Sequence, residues 1–267
     1  MSLLIDIGNT RLKIGYANPQ GIRADISLAI TPAELPLLLP WLQKHHLQPK
    51  RALIVSVASS QVESQVIALL ESLPCPAIWL DSTQVCALVR NGYDQPGQLG
   101  SDRWPALIGV LAQHGIKGPI IHASFGTATT VDTLLPPKHP RSSQALFAGG
   151  LILPGPQLMY DSLANNTAKL GHGVGACSVL PTNTRAAIST GIAAAQVGAV
   201  LRQWQLAYEL KQGTPVLICS GGGWHLVQEE IEQAYQQRQQ QLHLTAKPVY
   251  YQHTPVLDGL AYMATQL

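Results

Sequence analysis

The sequence is short of several things, and each scarcity excludes a class of function. Cysteine is rare: Cys75, Cys86, Cys177 and Cys219 are scattered through 267 residues with no CxxC pair. That spacing suits neither a zinc site nor a disulfide framework, and it suits a reducing compartment. Charge is sparse, at 12% of residues, and its two signs nearly cancel to a formal +2. Lys and Arg form no dense run, so there is no electrostatic footprint for nucleic acid. No apolar run approaches the roughly 18 residues of a membrane span, and Asp6 interrupts the N-terminal apolar stretch before signal length. The expected protein is soluble and cytoplasmic. His114, His122, His172, His225 and His253 lack metal-ligand spacing, and His45-His46 sits at a polar helix end.

What is present is an ordinary globular composition, 46% hydrophobic, in which short apolar runs alternate with helical patterns. That alternation predicts an α/β architecture. "ALIVSVA" (52–58) is a strand. "SQVESQVIALLESL" (60–73) places Val62, Val66, Leu69, Leu70 and Leu73 near one helical face. A helix over 32–46 is interrupted by Pro36 and Pro40. One over 101–115 opens on Ser101 and Asp102 and closes on Gly115. Further on, 145–159 reads as a strand entering a helix at Pro154, and 183–211 as a long Ala-rich helix. The stretch 215–231 reads as strand, glycine loop and helix start. The Gln-biased run 232–242 reads as a solvated helix face or a frayed end.

Two stretches share one pattern. "LLIDIGNTRLKIGYA" (3–17) and "PIIHASFGTATTVDTLL" (119–135) are each an apolar run, a glycine-led turn and a second alternating strand. Gly8 and Gly126 lie a little under half the chain apart. The repeat predicts an internal duplication, with two copies of a hairpin-led α/β unit, 1–117 and 118–267, facing each other across a cleft.

The turns carry the chemistry. In the first, Gly8, Asn9 and Thr10 leave backbone N–H groups converging on one spot, an arrangement that holds an anion, and Asp6 can reach a cation bridging phosphates. No GxxxxGK[ST] accompanies it, so this is not a Walker loop. The competing reading is a tight hairpin whose Asp satisfies local amides. In the second, Gly126, Thr127, Thr129 and Thr130 can hold phosphate, and Gly221 and Gly222 in the Ser-Gly-Gly-Gly loop at 220–223 let backbone approach a flat base or ribose. The stretch "NGYDQPGQLGSDRWPA" (91–106) adds Tyr93, Gly100 and Asp102-Arg103. Arg103 can grip a carboxylate with its planar fork, and Asp102 can take a proton from a hydroxyl. Alternatively Ser101 or Asp102 caps a helix and Arg103 is solvated.

The set "DIGNT", "GYDQPGQLGSDRW", "SFGTATTVD", "AGGLILPG", "PTNTRAAISTG" and "SGGG" resembles, in order and spacing, the type III pantothenate kinases. The resemblance implies a duplicated ribonuclease-H-like fold of the actin-like ATPase kind. It implies ATP-dependent phosphorylation of pantothenate to 4'-phosphopantothenate, the first step of coenzyme A synthesis, with Mg2+, in a homodimer. It places Asp6, Gly8, Asn9, Thr10, Arg11, Leu12 and Lys13 at the first phosphate element, with Asp6 reaching Mg2+ through phosphate. Gly126, Thr127 and Thr129 fall at the second, and Gly221 and Gly222 at the nucleoside. Tyr93, Gly100, Ser101, Asp102 and Arg103 fall at pantothenate, with Asp102 as base and Thr184 reaching in from the partner subunit. The resemblance also implies a monovalent cation, K+ or NH4+, held by an acid two residues before the second-hairpin glycine. Here that residue is Ser124. A hydroxyl binds a cation more weakly than a carboxylate, so a weak requirement is expected. Two alternatives stay open on the residues alone: a kinase of the same fold acting on another small hydroxylated substrate such as a sugar, and a nucleotide-binding regulatory protein.

Overall fold

The computed structural model describes residues 1–137, 144–166 and 173–267, so His172 lies outside the described residues. The chain divides into two compact units.

The first unit is built from Met1–Gly115 and Thr254–Leu267, with the residues leading into 146. Strands β1 (Ser2–Ile7), β2 (Leu12–Ala17), β3 (Leu28–Ile30), β4 (Arg51–Ser56) and β5 (Ala77–Trp79) form one sheet in the order β3-β2-β1-β4-β5. Strand β1 pairs antiparallel with β2 and parallel with β4. All six of its residues are buried, which explains why a central strand reads as an unbroken apolar run ending in one acid. On one face, Leu3, Ile5, Ile7, Leu12, Ile14 and Ile54 pack on Leu38, Trp41 and Leu42 of α1 (Leu38–Lys44) and on Val66 and Leu70 of α2 (Ser60–Glu71). Helix α1 is shorter than the expected 32–46. Residues Pro32–Leu37 form a 3-10 turn first, because Pro36 has no N–H to donate. A short β6 (Val89–Asn91) precedes α3 (Arg103–His114), which Gly115 ends at φ +63°.

The unit closes with α7 (Pro255–Met263), which packs on β1, β2 and most extensively on α3. The two helices meet backbone to backbone. A Cβ on Gly109 would run into the Pro255 carbonyl, and one on Gly259 into the Pro105 carbonyl. Segment 254–267, assigned to the second half on sequence, therefore belongs with the first unit. Its apolar face, with Leu257, Leu260 and Ala261 buried, is used there. Two polar ties hold the segment: Arg23 Nε donates to Asp258 Oδ1 at 2.5 Å, and the Arg51 guanidinium donates to the Ala264 carbonyl.

The second unit holds β7 (Ile120–Phe125), β8 (Ala128–Leu135), β9 (Ala145–Pro154), β10 (Val216–Ser220) and β11 (Tyr250–Tyr251), in the order β9-β8-β7-β10-β11. Strand β7 pairs antiparallel with β8 and parallel with β10, which pairs parallel with β11. This repeats the first sheet strand for strand: a hairpin, a third strand outside it, and two parallel strands on the other side. The protein is α/β with a duplicated, ribonuclease-H-like unit. Ile121, Ala123, Phe125, Val131, Leu217 and Cys219 pack on Val200, Trp204 and Ala207 of α5 (Thr184–Glu209) and on Ile231 and Tyr235 of α6 (Gln228–Gln241). Helix α4 (Pro156–Asn166) packs on α5. The Gln-rich run is neither frayed nor wholly solvated. Ile231, Tyr235 and Gln239 recur every fourth residue and are buried, and the Gln239 amide accepts from Lys247 N at 2.7 Å and donates to Lys247 O at 3.1 Å. Among the described residues no helix is long and apolar enough to cross a membrane.

The α3–α7 contact makes a direct prediction. Gly109→Ala and Gly259→Ala each force the helices apart and should destabilise by about 1–3 kcal/mol or more. Gly198→Ala on α5, where an added Cβ meets nothing within 4 Å, should be neutral or mildly stabilising. Urea unfolding of the three variants reads the difference directly.

Candidate active site

In the first unit the β1–β2 hairpin closes on the pair Ile7 and Leu12. Gly8 N donates to Arg11 O at 3.1 Å, and a Cβ on Gly8 would press on that carbonyl at 3.0 Å. Asn9, Thr10 and Arg11 are exposed at the tip. Leu12 is fully buried in the core under α1 and α2, so only its backbone can face a ligand. Asp6 lies opposite Lys13, their charged groups 3.9 Å apart. Asp6 is only 6% exposed, and burial pushes its pKa up to about 6. Lys13 pulls it down, while the negative charge of Asp102 pushes it further up.

Asp102 comes to that place through α3. Helix α3 starts at Arg103, and Asp102 holds the N-cap position with αR backbone, but its side chain makes no cap hydrogen bond. Its oxygen lies against Gly100, where a Cβ would stand 2.9 Å from it, so glycine makes room for the acid. Burial raises the Asp102 pKa, opposed by the amides of Arg103 and Asp102 and by the charges of Arg103 and Lys13. Ser101 Oγ donates to the carbonyl of Ser56, the last residue of β4, which pairs with Ile7. Arg103 is buried to 6% exposure; its Nη1 donates to Tyr93 Oη at 3.1 Å, and its guanidinium carbon lies 5.8 Å from the Tyr93 ring centre. The first unit thus gathers a glycine-led turn, the buried carboxyl of Asp6, the half-buried carboxyl of Asp102 that repels it, one ammonium and a buried guanidinium beside a phenol. Sequence reasoning missed the Ser56 carbonyl as the anchor of the loop, because a backbone acceptor leaves no mark in the sequence.

In the second unit the β7–β8 turn repeats the arrangement, one residue shorter: Gly126 N donates to Ala128 O at 3.1 Å. Gly126 and Thr127 are exposed at its tip. Thr129 pairs with Phe125 and is fully buried; its hydroxyl has no hydrogen-bond partner. It lies on the face that α5 covers, opposite to that of Ser124. Ser124, half-buried, pairs with Thr130 on one side and Ser220 on the other. Asp132 shares its face but pairs with His122, one step further along. Gly155, also missed, donates its N–H to Thr127 O at 2.9 Å, and a Cβ there would strike the Gly126 carbonyl. Its signal was the Gly-Pro pair just after a strand. The glycine loop leans on the same hairpin: Gly221 takes φ +94° with its α-carbon against Phe125, and Gly223 N donates to Phe125 O at 2.8 Å. Thr184 opens α5 and is exposed; Asn183, which accepts from Ala186 N at 3.0 Å, does the capping.

Against solved structures the fold is of the actin-like ATPase and sugar-kinase kind. A putative Baf family transcriptional activator from Campylobacter jejuni matches with a TM-score of 0.55 at 16% identity, over 99% of this chain and 98% of that one. A putative 2-dehydro-3-deoxygalactonokinase from Sinorhizobium meliloti matches with 0.54 at 11%, over 100% and 98%. At such identities only the fold is shared. The model of the type III pantothenate kinase family matches residues 2–206. A type III pantothenate kinase from Bordetella pertussis is 40% identical over 100% of this chain and 98% of its own length. The chain belongs to the type III pantothenate kinase family. It is an enzyme, a pantothenate kinase, and uses ATP.

The Asp6 carboxyl generates a prediction with two signs. Its folded-state pKa, about 6, lies above the ordinary 3.8 of an aspartate, so the folded chain holds this proton more tightly than the unfolded chain does. The group disfavours folding above about pH 6, and the penalty fades as pH falls towards 4. In ligand-free protein at pH 8, Asp6→Asn should raise stability by up to about 3 kcal/mol, a gain that shrinks as pH approaches 5. The same change should abolish turnover. In the unmodified enzyme kcat/KM should fall as pH drops through about 6. Thermal melts and rates over pH 5–8 check both signs.

Proposed function

We propose that this kinase transfers the γ-phosphoryl group of ATP to the primary hydroxyl of pantothenate, giving 4'-phosphopantothenate at the first step of coenzyme A synthesis. The observation that carries the assignment of roles is Asp102: a half-buried carboxyl whose pKa is raised by desolvation and which makes no N-cap hydrogen bond, next to the buried guanidinium of Arg103. Arg103, with Tyr93, holds the pantothenate carboxylate; Gly100 and Ser101 shape the loop around it. Asp102 accepts the hydroxyl proton as the oxygen attacks phosphorus in line, and a raised pKa makes it the better acceptor. The amides of Gly8, Asn9 and Thr10, with Arg11 and Lys13, take the phosphates, as do those of Gly126 and Thr127. Gly221 and Gly222 take the nucleoside. Positioning and charge neutralisation supply most of the acceleration.

Asp6 fits a divalent cation. Asp6 is buried with a raised pKa, and the negative charge of Asp102 nearby raises it further. That suits Mg2+, which binds through one or two carboxylates together with substrate phosphates. When bound it neutralises phosphate charge. We place the enzyme in the cytoplasm, as a homodimer in which Thr184 of one protomer reaches the pantothenate site of the other. A sugar as the substrate does not use the Arg103–Tyr93 pair, and a purely regulatory role does not use the Asp102 carboxyl.

The roles of the two neighbouring residues separate kinetically. Asp102→Asn should keep ATP binding and lower kcat by ~10²–10⁴-fold, the contribution of a general base. Arg103→Lys keeps the charge but loses the fork, so it should raise the pantothenate KM far more than the ATP KM. A coupled assay with and without pantothenate reads both; equal loss for the two substrates would sink the Arg103 assignment.

The monovalent cation gives a further test. Ser124 has hydroxyl-bearing cross-strand neighbours, Thr130 and Ser220, and no carboxylate directly opposite it. Activation by K+ or NH4+ should be weak, and Ser124→Asp should strengthen it. Initial rates titrated with KCl at constant ionic strength decide; steep saturable activation of the unmodified enzyme means Ser124 is no handicap.

A further inference from the structure

We propose that Tyr251 is the stacking platform for the adenine ring of ATP. The inference rests on the kinase reading above and adds the residue that receives the base. Strands β7, β10 and β11 run parallel, so their carboxyl ends lie side by side, and ligands of open α/β sheets bind outside such ends. At those ends stand, in spatial order, the Gly126–Thr127 turn, the Gly221–Gly223 loop and Tyr251, which pairs with Cys219. Two strand spacings, about 10 Å, separate the phosphate turn from the ring. That suits a nucleotide lying across the strand ends with its phosphates at the turn.

The ring is held as a platform rather than left as a loose surface tyrosine. Its hydroxyl donates to Gly221 O at 3.2 Å. Trp224 lies behind it, nearly parallel at 17° with ring centres 6.1 Å apart, and Trp224 in turn packs on Phe125 at 5.6 Å. His253 meets the ring at 83°, 4.8 Å between centres. Yet Tyr251 remains 39% exposed, and a Cβ on Gly222 would meet nothing within 4 Å, so there is open space beside the loop. An aromatic fixed by a hydrogen bond and a buried tryptophan loses little freedom when a base stacks on it. Because every base has a π-face, such a platform favours bases in general, with purines ahead through their larger area.

The test compares ATP with inorganic tripolyphosphate, which has the charge and lacks the base. Calorimetric titration of the intact enzyme with each ligand, in Mg2+ buffer, is run on the unmodified protein, Tyr251→Phe and Tyr251→Ala. Tyr251→Ala should weaken ATP roughly 5- to 100-fold, the value of one aromatic–base stack, and leave tripolyphosphate unchanged. Steady-state kinetics should show the same rise in ATP KM, with pantothenate KM unmoved. Tyr251→Phe keeps the ring and should stay close to the unmodified protein. Should the alanine variant melt early, Tyr251→Met fills the space without a ring and carries the comparison. Unchanged ATP affinity in the ringless variants overturns the proposal, and so does equal loss of ATP and tripolyphosphate, which means only that the loop has moved. A protein that binds tripolyphosphate as well as ATP has no base subsite and overturns the inference alone. One that binds neither overturns the kinase reading with it.

Discussion

Helices α3 and α7 approach so closely that their backbones touch at Gly109 and Gly259, and the rest of the first unit is arranged around that contact. Helix α7 is seated on β1 and β2, so α3, packed against α7, has its start fixed relative to the end of β1. Ser101, tied to the carbonyl that ends β4, fixes the same point from the other side. Between the two restraints Asp102 has little freedom, and it is brought within electrostatic reach of Asp6. Asp6 is buried and Asp102 half-buried, so each pays desolvation, and Asp6 also carries the repulsion of Asp102. Carboxyls whose pKa values are shifted by desolvation and by a neighbouring charge cluster at functional sites.

The second unit repeats the scaffold with different chemistry on it. Both hairpins lead with a glycine whose amide bonds back across the turn, to Arg11 O in the first and to Ala128 O in the second. The first has an acid two residues before that glycine and a lysine across from it; the second has Ser124, with Thr130 and Ser220 as neighbours. One copy therefore concentrates charge and the other concentrates hydroxyls and bare backbone. The low identity to structural neighbours fits this view: the duplicated sheet is shared among proteins of different names, and the activity lies in what each copy carries at its strand ends.

Much of this was legible in the sequence where the physics is local. The glycine-led hairpins, the glycine that ends α3 and the Ala-rich α5 follow from turn chemistry and periodicity. The break at Pro36 follows from a missing donor. What was misjudged depended on partners distant in the chain. The Gln-rich stretch looks solvated by composition, but Tyr235 and Gln239 are buried by residues from other elements, and Gln239 is satisfied by the Lys247 backbone. Residues 254–267 follow the second hairpin in sequence, but the apolar face of α7 finds its complement on β1, β2 and α3.

The sequence by itself determined which residues can do chemistry and that they come in two hairpin copies, because strand alternation, glycine turns and acid placement are properties of neighbouring residues. It left Asp102 undecided between helix cap and base, and it put Thr129 with the phosphate ligands. Only the tertiary structure decided what surrounds them. It set the Asp102 carboxyl against Gly100 within reach of the charge on Asp6, and it buried Thr129 on the face that α5 covers. The physical reason is that burial and pKa depend on desolvation and on charges contributed by segments far apart in the chain, and those segments meet only in the folded unit.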